Sequence, residues 1–151
     1  MKRVFLYAVV LCMPIFLALV SFVPPDSAGL VDGVLVQTNQ FRKTQGLPGL
    51  VMRDELNKIA KKHSLDMARG RVPFGHQGFD DRDIQAKKVL PGIHSFAENV
   101  ASGELSPAEV VNLWKNSPGH RRNMMGAYKY VGIGTATDKQ GIIYFTQIFA
   151  D

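Results

Sequence analysis

Two helix starts stand only eleven residues apart, Ser106-Pro107-Ala108-Glu109 and Ser117-Pro118-Gly119-His120, and no other feature restricts the folding of this chain more. Each places proline at the first helical position, where its missing N–H and fixed φ are harmless, behind a serine able to cap. The first adds a glutamate three residues after the cap, which completes a capping box. The spacing predicts one helix from Pro107 that must end before Ser117, and a second, shorter helix through Met124 or Met125. Val110, Val111, Leu113 and Trp114 supply the apolar face of the first, and Trp114 is the chain's one tryptophan.

Upstream, Leu30, Val31, Val34, Leu35 and Phe41 recur at helical spacing up to Gly46, a natural C-terminal stop. Asn39 and Arg42 lie one helical step apart there, a pairing that suits hydrogen bonds to a neighbouring loop. After the turn Leu47-Pro48-Gly49-Leu50 and a brief extended piece, Asp54 caps a second helix to about Arg69. Leu56, Ile59, Ala60, His63 and Met67 form its apolar stripe, and a histidine on such a stripe reads as a packed core residue. Between Gly70 and Phe96 periodicity is lost apart from one short helix around Asp81–Val89. Structureless stretches of this length in small domains tend to carry function. This one carries His76, set between glycines in FGHQG, and Arg82; His94 reads as a surface residue. Tyr130–Thr137 and Ile142–Ala150, rich in β-branched and aromatic residues around Asp138-Lys139-Gln140-Gly141, predict an antiparallel hairpin. The small residues of Val131-Gly132-Ile133-Gly134 let a helix approach it closely. Helices before and after a small antiparallel sheet make an α+β domain.

The N-terminus is different in kind. Lys2 and Arg3 precede an uncharged run of 20 residues, Val4–Val23. A basic start and an apolar run are the pattern of an export signal, yet about 20 residues also suffice to span a bilayer. No small-x-small cleavage site follows, so two readings stand: a cleaved signal, or an anchor through residues 4–23 with the domain outside the membrane. Residues 1–29 are therefore signal or anchor plus linker, and 30–151 the folded domain. Cys12, the one cysteine, lies inside the run, so 30–151 has no disulfide and depends on its core. Sixteen basic against twelve acidic residues leave that part at +4. The charges form scattered pairs without aromatic interleaving, which implies weak attraction to anionic surfaces and excludes a recognisable nucleic-acid module.

His76, Glu98 and His120 are the candidates for chemistry, expected to meet at the floor of one cleft. Two imidazoles and a carboxylate can hold a divalent metal with one position open, act as acid and base, or hold one another in a structural network. His120 follows the second helix start, where the dipole's positive end favours a neutral imidazole. Ser117 is first a cap, and a hydroxyl committed to backbone amides is a poor nucleophile.

The order of landmarks resembles the CAP superfamily of cysteine-rich secretory, antigen-5 and pathogenesis-related-1 proteins, in its short, cysteine-free bacterial branch. The resemblance runs through nearly all of 30–151. It rests on Asn39-x-x-Arg42-x-x-x-Gly46, LNKIAKKHSLDMA, FGHQG, AENVASG, LWKNSPGHRRNMM, YVGIGTAT and YFTQIFA. It implies an α–β–α sandwich with a central cavity and a tetrad of two histidines and two acids that in some members binds a cation. By position these are His76, Glu98 and His120, with Ser117 standing where the second acid belongs. A metal, zinc first, would then be held by His76, Glu98 and His120, with Arg82 and Asp80 as candidates to complete the cleft. Three functions follow as expectations. The first is a secreted or membrane-tethered module whose cleft (His76, Glu98, Ser117, His120) binds a small ligand, lipid, envelope component or divalent cation without catalysis. The second is a metal-assisted hydrolase using Glu98 as base. The third is an adhesive surface for which the cluster only adds stability. The lack of a free nucleophile puts the first ahead.

Overall fold

The C-terminal hairpin forms as its sequence predicts: Tyr130–Thr137 and Ile143–Ala150 pair antiparallel from Tyr130 opposite Ala150 to Thr137 opposite Ile143. In this computed structural model, which describes residues 27–151, the two strands are the centre of a four-stranded sheet. The run Val4–Val23 and its basic start lie outside the described residues. In chain order the elements are α1 (Ser27–Thr44), β1 (Val51–Met52), α2 (Asp54–Ala68), α3 (Phe79–Val89), β2 (Phe96–Gly103), α4 (Pro107–Asn116), α5 (Pro118–Met125), β3 (Tyr130–Thr137) and β4 (Ile143–Ala150). The sheet order is β1-β3-β4-β2. β1 runs parallel to β3, so the sheet is mixed, where the sequence suggested an antiparallel one. Helix α1 already includes Ser27, inside the stretch read as linker.

Helices cover both faces of the sheet. On one side Val34, Phe41, Val110, Val111, Trp114 and Met124 pack against Val131, Ile133, Phe145 and Phe149. On the other, Leu56, Ile59, Ala60, Ala86 and Leu90 pack against Ile148 and Ala150. This is the α–β–α sandwich. Helix α2 lies almost on the backbone of β3: a Cβ on Gly132 would stand 2.3 Å from Leu56 Cβ, and one on Gly134 2.0 Å from the Lys61 amide nitrogen. Asn57 Oδ1 accepts from the Ile133 amide at 2.8 Å, which satisfies β3 beyond the two residues that β1 covers.

The helix ends differ in their chemistry. Gly46, at φ +71°, ends α1 with the Gly46 and Leu47 amides donating to the Lys43 and Arg42 carbonyls, a Schellman arrangement. The capping box at Ser106 forms with both of its bonds. Asp54 does not cap α2. The Arg53 amide still donates to Val131 in the sheet, so Arg53 takes the cap position and Asp54 becomes the first helical residue. Ser117 holds the cap position of α5, but its hydroxyl makes no capping bond. Leu113, expected in the core, is 51 % exposed, and the face of α4 that packs is Val110, Val111 and Trp114. Trp114 Nε1 donates to the Val100 carbonyl at 3.2 Å and ties α4 to β2.

Arg42 is 1 % exposed and, among the described residues, has no carboxylate partner. Its guanidinium donates to the carbonyls of Pro48, Met124, Gly126 and Tyr128 at 2.9, 2.8, 2.9 and 3.4 Å. Asn39 closes a two-way bond with the Leu50 backbone, at 3.1 and 2.8 Å. The Asn39–Arg42 pair thus stitches α1 to the loop before β1 and to the chain leaving α5, as its spacing suggested.

Candidate functional site

Strand β2 has polar residues on both faces, and both faces are covered. Glu98 lies opposite Ile148 and shares its side of the sheet, toward α2 and α3, while Asn99 lies opposite Gln147 and faces α1. The Glu98 side chain is fully buried. A carboxylate there requires a partner, and α3 supplies one: Arg82 Nε donates to Oε2 at 2.6 Å and Arg82 Nη2 to Oε1 at 2.7 Å. The fork is bidentate, the geometry in which arginine holds a carboxylate best.

The same guanidinium builds the loop in front of it. Arg82 Nη1 donates to the Gln77 carbonyl at 2.8 Å, and Nη2 reaches the His76 carbonyl at 3.5 Å. His63, buried on α2, donates Nε2–H to the Gly75 carbonyl at 2.8 Å. Three consecutive carbonyls of FGHQG are therefore held from below. Gly78, at φ +77°, turns the chain into α3. Burial, and less strongly the Arg82 charge, holds the His63 imidazole below its ordinary value. His63 is a core residue, as its place on the stripe indicated, but one that shapes the site.

His76 comes to rest on Glu98, its Nδ1 2.8 Å from Oε1. A carboxylate held in this way only accepts, so Nδ1 is the donor, and Nε2 makes no hydrogen bond among the described residues. The His76 side chain is 47 % exposed. Beside it opens a cleft of about 350 Å³ lined by His76, Phe79, Phe96, Glu98, Asn123 and Tyr128. Phe79 and Phe96 meet edge to face at 5.1 Å. Tyr128 stacks on Phe149 with centroids 5.5 Å apart, and burial raises its hydroxyl above the ordinary value. Asn123 Nδ2 donates to the Glu98 carbonyl at 3.0 Å and to Asn99 Oδ1 at 2.9 Å, which fixes α5 along the sheet edge.

His120 is half-buried on α5, and its carbonyl accepts from Asn99 Nδ2 at 3.2 Å. Burial and, second, the nearby His76 hold its imidazole below the ordinary value. It stands within electrostatic range of His76 but not in the cleft lining. Ser117, at the α4–α5 junction, is likewise outside the lining. His94 is exposed, and Asp80 lies on the exposed side of α3. Among the described residues no three His, Cys, Asp or Glu side chains are grouped to hold a metal ion. The reason is local: both Glu98 oxygens receive hydrogen bonds from Arg82, and one also from His76. Held in this way, the Glu98 carboxylate is not free to ligate a metal ion, and an internal guanidinium balances its charge.

Reading the sequence missed Asn123, Tyr128 and the Phe79–Phe96 pair. Asn123 follows His120 within one helical turn, which was the available signal. The aromatic pair had none, because its members belong to different elements.

The comparisons with known proteins agree with this architecture. Residues 35–149 match the model of the cysteine-rich secretory protein family, CAP. YkwD of Bacillus subtilis is 32% identical over 114 residues, which cover 73% of this chain and 44% of YkwD. The chain thus spans less than half of that relative's length. An extracellular protein containing an SCP domain from Bacillus anthracis is 27% identical, with a TM-score of 0.70 over 82% of this chain and 40% of its own. An outer surface protein from Borrelia burgdorferi shares the fold at a TM-score of 0.68 and 24% identity, over 78% of this chain and 89% of its own. With the family matched from within α1 to Phe149 in β4, the chain belongs to the cysteine-rich secretory protein (CAP) family.

Proposed function

We propose that this protein works outside the cytoplasm as a binding module, holding a small amphipathic ligand in the His76 cleft without transforming it. The support for the location is the basic-then-apolar N-terminus and the extracellular relative of Bacillus anthracis. The observation that carries the binding reading is the bidentate Arg82–Glu98 pair. A carboxylate with both oxygens engaged by a guanidinium is withheld from general-base work, and its remaining role is to orient His76. His76 Nε2 and the Tyr128 hydroxyl then offer polar contacts, while Phe79 and Phe96 offer an apolar wall. At about 350 Å³ the cleft is at the small end of ligand sites, which suits a short-chain lipid or a compact polar molecule.

Octanoate serves as a probe. Titrated calorimetrically into the full-length protein, it should give a saturable isotherm that His76→Ala and Phe96→Ala each weaken by about tenfold. Isotherms that do not differ among wild type and both variants would remove the cleft from the proposal.

A further inference from the structure

A second groove, of about 710 Å³, lies between α1 and α4, away from the His76 cleft, and Arg121 of α5 reaches into it. Phe41, 6 % exposed, is at its floor. Over that one ring stand two cations, Lys115 Nζ at 5.8 Å and Arg121 Cζ at 5.0 Å from the centroid. Among the described residues neither is in an ion pair. Arg121 donates one hydrogen bond, from Nη2 to Gln45 Oε1 at 3.1 Å. The single carboxylate of the lining, Glu109, pairs with neither: its Oε2 is held at the Ser106 cap, accepting from the Ser106 amide at 2.8 Å and the Ser106 hydroxyl at 2.6 Å. Two like charges brought to one aromatic ring repel each other, and an anion that contacts both offsets that repulsion.

The walls are amides. Gln37, Gln40 and Asn112 line the groove and make no side-chain hydrogen bond among the described residues. Each presents a carbonyl acceptor beside an N–H donor, the complement of neighbouring hydroxyl groups. An alkyl chain laid here would cover these amides without satisfying them, which is unfavourable. A bare anion would use the cations and leave the amides idle.

We propose that this α1–α4 groove binds an acidic sugar, its carboxylate or phosphate between Lys115 and Arg121 and its hydroxyls along Gln37, Gln40 and Asn112. The site is separate from the His76 cleft and does not depend on the function proposed for it.

The test is a titration of the full-length protein with glucuronate, glucose 6-phosphate, glucose and inorganic phosphate, followed by calorimetry and by the side-chain amide signals of glutamine and asparagine in NMR spectra. At least one acidic sugar should bind about tenfold or more tightly than both glucose and phosphate. Whether glucuronate or glucose 6-phosphate leads identifies the anionic group. Lys115→Gln combined with Arg121→Gln should reduce the acidic sugar to the level of glucose. Gln40→Ala combined with Asn112→Ala should reduce it to the level of phosphate, and His76→Ala should change nothing. Binding of both acidic sugars no tighter than that of glucose or of phosphate would overturn the proposal, as would unchanged binding in the Lys115/Arg121 variant. Should that variant misfold, the wild-type spectra decide: unmoved Gln37, Gln40 and Asn112 amide signals at saturating acidic sugar would overturn it equally.

Discussion

Arg82 and Glu98 meet in the interior with two short parallel hydrogen bonds, 2.6 and 2.7 Å, bringing together the first turn of α3 and the middle of β2. Three features of the candidate cleft depend on that contact. It balances the buried carboxylate, orients His76 and pins the carbonyls of the loop that carries His76. One side chain thus sets the electrostatics and the shape of the site together.

Removing one partner leaves the other charged and buried. Arg82→Gln or Glu98→Gln is expected to destabilise the protein by about 3–5 kcal/mol, read as a lower midpoint in urea. Replacing both by apolar residues of similar volume should destabilise less than either single change. Equal destabilisation in all three would mean that the pair's charges are not coupled.

The guanidinium should also compete with a metal ion for Glu98. Zinc chloride should raise the melting midpoint of Arg82→Gln, whose Glu98 carboxylate is freed beside His76, more than that of the wild type. The increment should disappear when His76→Ala is added. A wild-type response as large as the variant's would show that Arg82 does not compete for the carboxylate.

Gly134 cannot be alanine. The added methyl carbon would meet backbone atoms of α2 at 2.0–2.3 Å, and no flexible side chain is there to move away. Overpacking of this kind destabilises by about 1–3 kcal/mol and sometimes more. Gly119→Ala, with open space around the glycine and ordinary φ, is the control and should be close to neutral. Chemical denaturation of the two variants compares them directly.

Acid should loosen the loop under His76. Burial holds both His63 and His120 below the ordinary 6.5. Between their folded values and 6.5 the unfolded chain binds more protons than the folded one, so stability rises with pH. It is fully present above about 6.5 and is lost as pH falls through the folded values. The melting midpoint should therefore drop from about pH 7.5 to about pH 5, and His63→Gln, which removes one titrating ring, should flatten that slope. An unchanged slope would place the pH dependence elsewhere.

Much of this architecture is legible in the sequence. Periodicity located every helix to within a few residues, because caps, prolines and glycines act through local sterics and backbone hydrogen bonds. The Gly132 and Gly134 positions announced the close packing of α2 because only a missing Cβ permits it. Strand β2 escaped notice for an equally physical reason: with both faces covered, FAENVASG lacks the alternation that marks a half-exposed strand. Asp54 and Leu113 were misread because the sheet bond of Arg53 and the orientation of α4 are tertiary facts.

The sequence by itself determined where the helices lie to within a few residues, the hairpin, the absence of disulfides from 30–151, and the family to which the chain belongs. Only the tertiary structure decided what Glu98 does. Carboxylate chemistry depends on which charge is nearest, and the nearest lies sixteen residues away, in another element of the fold. No local pattern ties Arg82 to Glu98. It is the packing of α3 against the sheet that directs Glu98 to a guanidinium and leaves His76 to face the cleft.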